Sequence, residues 1–216
     1  MEIISTNLAE RRTVAWNGKS IETGIFKYPV AGPLTLESED VVGDHVVNRV
    51  HHGGLDKACY LFSADVYPWW KEKYPALAWD YGMFGENLTV KGLDEANLLI
   101  GDTYAVGGAT IQVSQPRQPC FKLGIRFEDQ GVLKHFIAEK CPGTYVRVLE
   151  SGPVKVGDRL KLIHRNENAM SIREVYTLLY HQNPDLAALR RGLEDKALAD
   201  SAKASFQKRI DQQTTK

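Results

Sequence analysis

Apolar and polar residues alternate in short runs over residues 1–165, and Gly, Pro and Asp interrupt these runs every few positions. A period of two places successive side chains on opposite faces of a strand. Residues 2–6, 34–37, 58–62, 87–90, 103–106, 110–114, 144–149 and 159–163 are therefore expected strands. Gly107-Gly108, between two β-branched runs, predicts a two-residue hairpin, because the turns that fit there need positive φ. Gly101-Asp102 and Gly157-Asp158 repeat a turn signal ahead of two further strands. Helical spacing is confined here to a segment capped by Ser63 or Asp65 that runs through Lys73, with Pro68 in its first turn, and to residues 129–140. Many short strands with few helices predict a mainly β fold: a closed or nearly closed β-barrel with a few peripheral helices.

After His164 the pattern changes. Arg165-Asn166-Glu167-Asn168 reads as a polar linker, and three short helical patterns follow. Ser171 opens the first, with apolar positions at Ile172, Val175, Leu178 and Leu179. Asn183-Pro184 reads as an N-cap and N1 proline for 185–191, and 196–210 is the third. The expected organisation is a β domain over 1–165 and a small C-terminal three-helix domain over 168–212. About 45 residues bury little core alone, so the tail is expected to lean on the barrel, in cis or across a homodimer.

Charge and cysteine content narrow the function classes. Among 216 residues, Lys and Arg number 27 and Asp and Glu number 27. Zero net charge gives no general pull toward a nucleic-acid duplex or an anionic membrane, so any anionic ligand must meet a local cluster. No apolar run approaches the roughly 18 residues needed to cross a bilayer. The first residues lack a basic stretch leading into an apolar one, and Cys59, Cys120 and Cys141 form no CxxC pair. A cytoplasmic location with reduced thiols is the expectation.

Candidate chemistry falls in three places. Arg49, His52 and Lys57 flank Gly53-Gly54, where glycines let backbone approach a ligand and cations can meet an anionic group; a tight turn with solvated charges is the competing reading. His51-His52 is a poor zinc pair, since neighbours in a strand point to opposite faces. Gly85-Glu86-Asn87 can set an acid and an amide at a strand start, or simply satisfy backbone. The third place is Gln115-Pro116-Arg117-Gln118-Pro119-Cys120-Phe121-Lys122. Two cations near Cys120 favour its thiolate, a soft ligand or nucleophile, whereas Cys59 lies in an apolar run and reads as a small buried hydrophobe. Trp69, Trp70 and Trp79 read as core before they read as a binding face.

Taken in order, Gly43-Asp44, His52-Gly53-Gly54, Gly85-Glu86-Asn87-Leu88, Gly101-Asp102 and the run Ile111–Leu123 resemble a MOSC domain, the module named for the C-terminal part of molybdenum cofactor sulfurase. Within that family the chain is most similar to the bacterial YiiM-like group, which adds a three-helix domain after the barrel. The resemblance implies a MOSC-type β-barrel that binds the molybdenum–molybdopterin cofactor, with Cys120 as the protein ligand to the metal. A soft thiolate suits a metal already carrying dithiolene sulfurs. Arg49, His52, Gly53, Gly54, Lys57, Arg117 and Lys122 are then candidates to hold the cofactor's phosphate or pterin, and Asn87 and Gln115 to hydrogen-bond pterin or substrate.

The activity this resemblance implies is reduction of N-hydroxylated compounds such as hydroxylaminopurine-type base analogues. Two electrons and two protons convert N–OH to N–H and release water. Glu86 and His52 are the candidate proton sources. No GxGxxG fingerprint for a nicotinamide or flavin appears, so the electrons are expected from a separate reductase. A different class of function also stands: a cofactor or sulfur carrier, without turnover, that uses Cys120.

Overall fold

The structure, a computed structural model, describes residues 1–47 and 53–214. Strands β1 (Glu2–Ala9), β4 (Lys27–Pro29), β6 (Cys59–Ser63), β7 (Leu88–Lys91), β8 (Thr103–Val106), β9 (Ala109–Pro116), β10 (Thr144–Glu150) and β12 (Lys161–His164) form one sheet in the order β12-β8-β9-β10-β6-β7-β1-β4. All neighbours are antiparallel except β6 and β7, which run parallel with helix α1 (Tyr67–Lys73) in their connection. Strands β2 (Arg12–Trp16) and β3 (Lys19–Thr23) form a separate hairpin, and β5 (Leu34–Leu36) pairs with β11 (Gly152–Val154). The Gly107-Gly108 hairpin joins β8 to β9, with Gly107 at φ 55°.

The expected barrel is corrected in one respect: the eight-stranded sheet is open, and the fold is mixed α/β. Its edge strands β12 and β4 do not pair with each other. Partial curling comes from hydrogen bonds between the start of β1 and the turn before β12, Ile3 N to Asp158 O (2.9 Å) and Gly157 N to Ile3 O (2.8 Å). Beyond that turn β1 diverges and pairs with β4 through its last residues, Asn7–Ala9.

Strand β6 is buried on both faces, and its period of two sorts the core. Cys59 and Leu61 join the aliphatic cluster that lies between the sheet and the C-terminal helices. Tyr60 and Phe62 face a second cluster, almost wholly aromatic, built with Trp70 of α1, Phe84, Phe127 and Phe136. Phe62 and Phe84 stack there at 4.1 Å between ring centroids. Trp70 is therefore core, as its spacing suggests, and Trp69 is partly exposed.

The other helices are α2 (Phe121–Arg126), α3 (Val132–Glu139), α4 (Ile172–Tyr180), α5 (Leu186–Glu194) and α6 (Asp200–Thr214). Helix α4 opens with a capping box between Ser171 and Glu174. The cap of α5 differs from expectation: Asp185, not Asn183, accepts the Ala187 and Ala188 amides. Residues Ala202, Phe206 and Ile210 recur every four positions along α6 and turn one stripe into the aliphatic core. Gly192 lets α5 lie close on α6, because a Cβ there would fall 2.4 Å from the Phe206 ring. The tail thus shares its core with the sheet.

Candidate functional site

Strand β9 ends at Pro116, and four residues without regular structure lead to α2. Cys120 is the N-cap of that helix, at φ −122° and ψ 167°, and its carbonyl accepts the Leu123 amide at 2.9 Å. Its side chain is half-buried. Burial pushes Cys59 up to about 12 and, with less complete burial, Cys141 up to about 11, so both stay protonated near neutrality.

Cys120 opens onto a cavity whose other walls carry Lys57, Arg117, Lys122 and Tyr145. Lys27, Asp44, His45, Thr23 and Asn87 add to its polar lining. Lys27 and Asp44 form a buried ion pair, with 7% and 2% of their side-chain surface exposed. Asp44 also accepts from the Ala9 amide (3.0 Å) and from Asn87 Nδ2 (3.0 Å), so its charge is fully compensated. Lys57 is half-buried, and desolvation lowers its pKa while neighbouring Asp56 pulls it back up. Lys122 Nζ donates to the Glu22 carbonyl of β3 at 3.1 Å, which ties the start of α2 to the outer hairpin.

Arg117 is the unusual member. It is only 4% exposed, and its guanidinium lies 5.3 Å from the centroids of both Tyr60 and Phe136. Cation–π contacts offset part of its desolvation. Its Nη1 is nevertheless buried without a hydrogen-bond partner among the described residues. A donor that cannot lose its proton and lacks an acceptor, in a cavity with three lysines, one of which, Lys27, is paired with the lining carboxylate of Asp44, marks a place for an anionic group.

The donor set also limits what metal chemistry is available. Among the described residues, no group of three or more His, Cys, Asp and Glu side chains is placed to hold a metal ion. One thiol cannot retain a bare ion of ordinary coordination number. It suits a metal that arrives with ligands of its own on an anionic organic carrier.

Comparison with known proteins shows the family. The model of the MOSC domain matches residues 48–161, and that of the YiiM-like, 3-alpha helix domain matches residues 170–213. The chain belongs to the MOSC-domain family. It is 40% identical to the uncharacterized protein YflK of Bacillus subtilis over 209 residues, covering 97% of this chain and 94% of that protein. Protein YiiM of Escherichia coli is 31% identical over 189 residues, or 87% of this chain and 84% of that one. A protein of Gibberella moniliformis named reductase is 33% identical over 175 residues, which are 80% of this chain and 31% of that longer protein. The crystal structure of YiiM from Geobacillus stearothermophilus superposes with a TM-score of 0.81 at 33% identity, covering 97% of this chain and 98% of that one.

Against this family background, the expected site residues separate into three groups. Lys57, Asn87, Arg117, Cys120 and Lys122 meet at the cavity. Gln115 lies just beyond, in a second cavity that also reaches Cys120. Gly53 and Gly54 line neither, and Arg49, His51 and His52 lie outside the described residues. Asn87, although exposed to the cavity, is already engaged, since its Oδ1 accepts the Tyr60 amide at 3.2 Å.

Glu86, expected as a proton source, is fully buried and does not line the cavity. Its carboxylate accepts from Tyr67 Oη, from the Gly82 and Phe84 amides (2.9 and 3.1 Å) and from Thr89 Oγ1 (2.9 Å). Burial raises its pKa, and the Tyr67 bond works against that. Those bonds fold the 82–86 turn back on itself, which sets Asn87 in register beside Tyr60. Its role in this MOSC protein is to hold the turn.

Sequence reasoning gave no role to Lys27 or Tyr145, and singled out Asp44 only as part of the Gly43-Asp44 motif. Lys27 carried no signal, because the pair it forms spans 17 positions and its neighbours Phe26 and Tyr28 suggest only a strand. Tyr145 lies on an expected strand, and only β10's place beside β9 and β6 brings its ring to Cys120.

Proposed function

We propose that this MOSC protein is a molybdenum-cofactor-dependent reductase of N-hydroxylated compounds, with Cys120 as the protein's ligand to the metal. The observation that carries the reading is Cys120 sharing one cavity with the orphaned Arg117 Nη1. The family is associated with the molybdenum cofactor, and one relative is named reductase. The cofactor, when bound, supplies two-electron redox chemistry at a molybdenum centre.

The chain's own residues would do the rest. Arg117, with Lys57 and Lys122, would grip the anionic part of the cofactor, and Arg117 needs no rearrangement because packing already fixes its guanidinium. The Cys120 thiolate would anchor the metal and favour a soft ligand field. Conversion of R–NH–OH to R–NH2 and water consumes two electrons and two protons. Lys57 Nζ is the cavity group suited to give up a proton, since desolvation makes its ammonium more acidic than an exposed one. Tyr145 keeps its phenolic proton at neutral pH because burial raises its pKa, so its hydroxyl can donate to a substrate oxygen without ionising. The electrons would come from a separate reductase.

The test is turnover. Protein made in a host that synthesises molybdopterin is mixed with chemically reduced viologen and a hydroxylaminopurine, and formation of the aminopurine is followed by chromatography. Conversion that disappears in Cys120→Ala is the expected result. Bound molybdenum without any conversion would overturn the enzymatic reading and favour a cofactor carrier.

A further inference from the structure

Cys120 stands where two cavities meet; Lys57, Lys122 and Tyr145 line both, and the remaining residues of the two linings differ in kind. The inner one is charged: the ion pair of Lys27 and Asp44, and Arg117 with its unsatisfied nitrogen. The outer one has a volume of about 390 Å³, within the range of small-molecule sites, and Gln115, Gln118, Ser201 and Ser205 bring neutral amides and hydroxyls to it. Ser201 and Ser205 belong to α6 and lie one turn apart on the same face. Helix α6 of the C-terminal region therefore forms one wall of a cleft that ends at the thiol.

That wall is held in place. Arg147 of β10 donates to Asp56 Oδ1 at 2.6 Å and, through Nη1, to the Ala197 carbonyl at 2.8 Å. The Ala199 amide donates to the Ser114 carbonyl of β9 at 3.2 Å. Asp56 precedes Lys57 and Ser114 precedes Gln115, so the same contacts fix the start of α6 and two residues of the cleft. Gln115 is only 2% exposed, and its Oε1 accepts from Ser201 Oγ at 2.6 Å. A buried amide held by a hydroxyl from another part of the chain is a preorganised hydrogen-bonding edge.

We infer that this outer cleft is the docking site of the molecule to be reduced, and that α6 is its specificity wall. The inference rests on the reductase reading above. Apart from Lys57 and Lys122, which it shares with the inner cavity, the cleft offers neutral amides and hydroxyls and no lining carboxylate; these suit an uncharged, flat nitrogen heterocycle, which offers both donors and acceptors in one plane. The anionic end of the cofactor would reach into the inner, cationic cavity, whose volume of about 70 Å³ suits a phosphate-sized group. The two ligands would then approach Cys120 from different sides, and the tail, which has no chemistry of its own, acquires a task in substrate choice.

Ser205→Trp fills the cleft from a half-exposed helix position, and hydroxylamine serves as the small comparison substrate. With reduced viologen as donor, the ratio of kcat/KM for hydroxylaminopurine to that for hydroxylamine should fall by about tenfold or more, with molybdenum content unchanged. Ser201→Ala, a milder change, should raise KM for the purine several-fold with little change in kcat. Calorimetry with hydroxylaminopurine and unreduced protein gives a second readout, in which Ser205→Trp should abolish the binding seen in wild type. An unchanged ratio, or purine binding that survives Ser205→Trp, overturns the inference. If wild type reduces neither compound, the reductase reading fails; calorimetry then still decides the cleft, because absence of purine binding to wild type also overturns it.

Discussion

Arg117 and Lys27 are both buried cations in the same cavity, and their surroundings predict opposite consequences of removal. Lys27 compensates Asp44, so Lys27→Met strands a carboxylate and should destabilise the protein by about 3–5 kcal/mol in urea unfolding. Arg117 has two rings and an unbonded nitrogen in place of an acidic partner. Arg117→Met should therefore change the stability of cofactor-free protein by less than about 1 kcal/mol, yet abolish cofactor retention. Equal losses in the two variants would remove the case for an anion site at Arg117. Of the two, only Arg117 was legible in the sequence, because it lies in a short run with Cys120; the Lys27 pair depends on how distant segments meet.

Glu95 makes a separate prediction at the same scale. It is buried, its carboxylate accepts the Gly143 amide at 3.0 Å, and burial raises its pKa from an ordinary 4.5 to about 7. The folded protein then binds more protons than the unfolded chain between those values, so this group's contribution is complete below pH 4.5 and disappears as pH rises through 7. The loss amounts to about 3 kcal/mol. Chemical denaturation of wild type and Glu95→Gln at pH 5 and pH 8 checks it: the substitution should flatten this part of the pH dependence and make the variant relatively more stable at pH 8.

Elements were read where local chemistry decides them and missed where two signals competed. The β8–β9 hairpin followed from Gly107-Gly108. An equally good signal, Asn17-Gly18, joins β2 to β3 with both residues at positive φ (49° and 72°), but largely exposed strands gave no apolar alternation to draw attention to it. Helix α2 was missed because Pro116 and Pro119 read as loop; Pro116 closes β9, Pro119 is loop, and the helix begins immediately after Cys120. At α5, Asn183-Pro184 resembled a cap and Asp185 is the cap. Asp185→Ala should lower stability by about 1 kcal/mol and Asn183→Ala by much less, measured as shifts in the urea midpoint.

On the scale of the whole molecule, many short strands followed by three helices could be read from period and turn residues alone. Closure could not, since it depends on whether β12 and β4 meet, and no local pattern encodes a pairing between strands that far apart in sequence. That the tail leans on the β domain followed from its small size, but stripes on α4 and α6 do not say which strands they cover, among them those carrying Gln115 and Tyr145. The site follows from that assembly, with β9 and α2 presenting Cys120, β6 and α3 placing rings beside Arg117, and α6 closing the outer side.

The central claim is that Cys120 holds a metal brought by an anionic cofactor. Mass-spectrometric measurement of molybdenum per chain, in wild type and Cys120→Ala purified from a host that makes molybdopterin, tests it most directly. The account predicts stoichiometric molybdenum in wild type and almost none in the variant, with matching circular dichroism spectra. Equal molybdenum in the two proteins, or none in wild type, would contradict it.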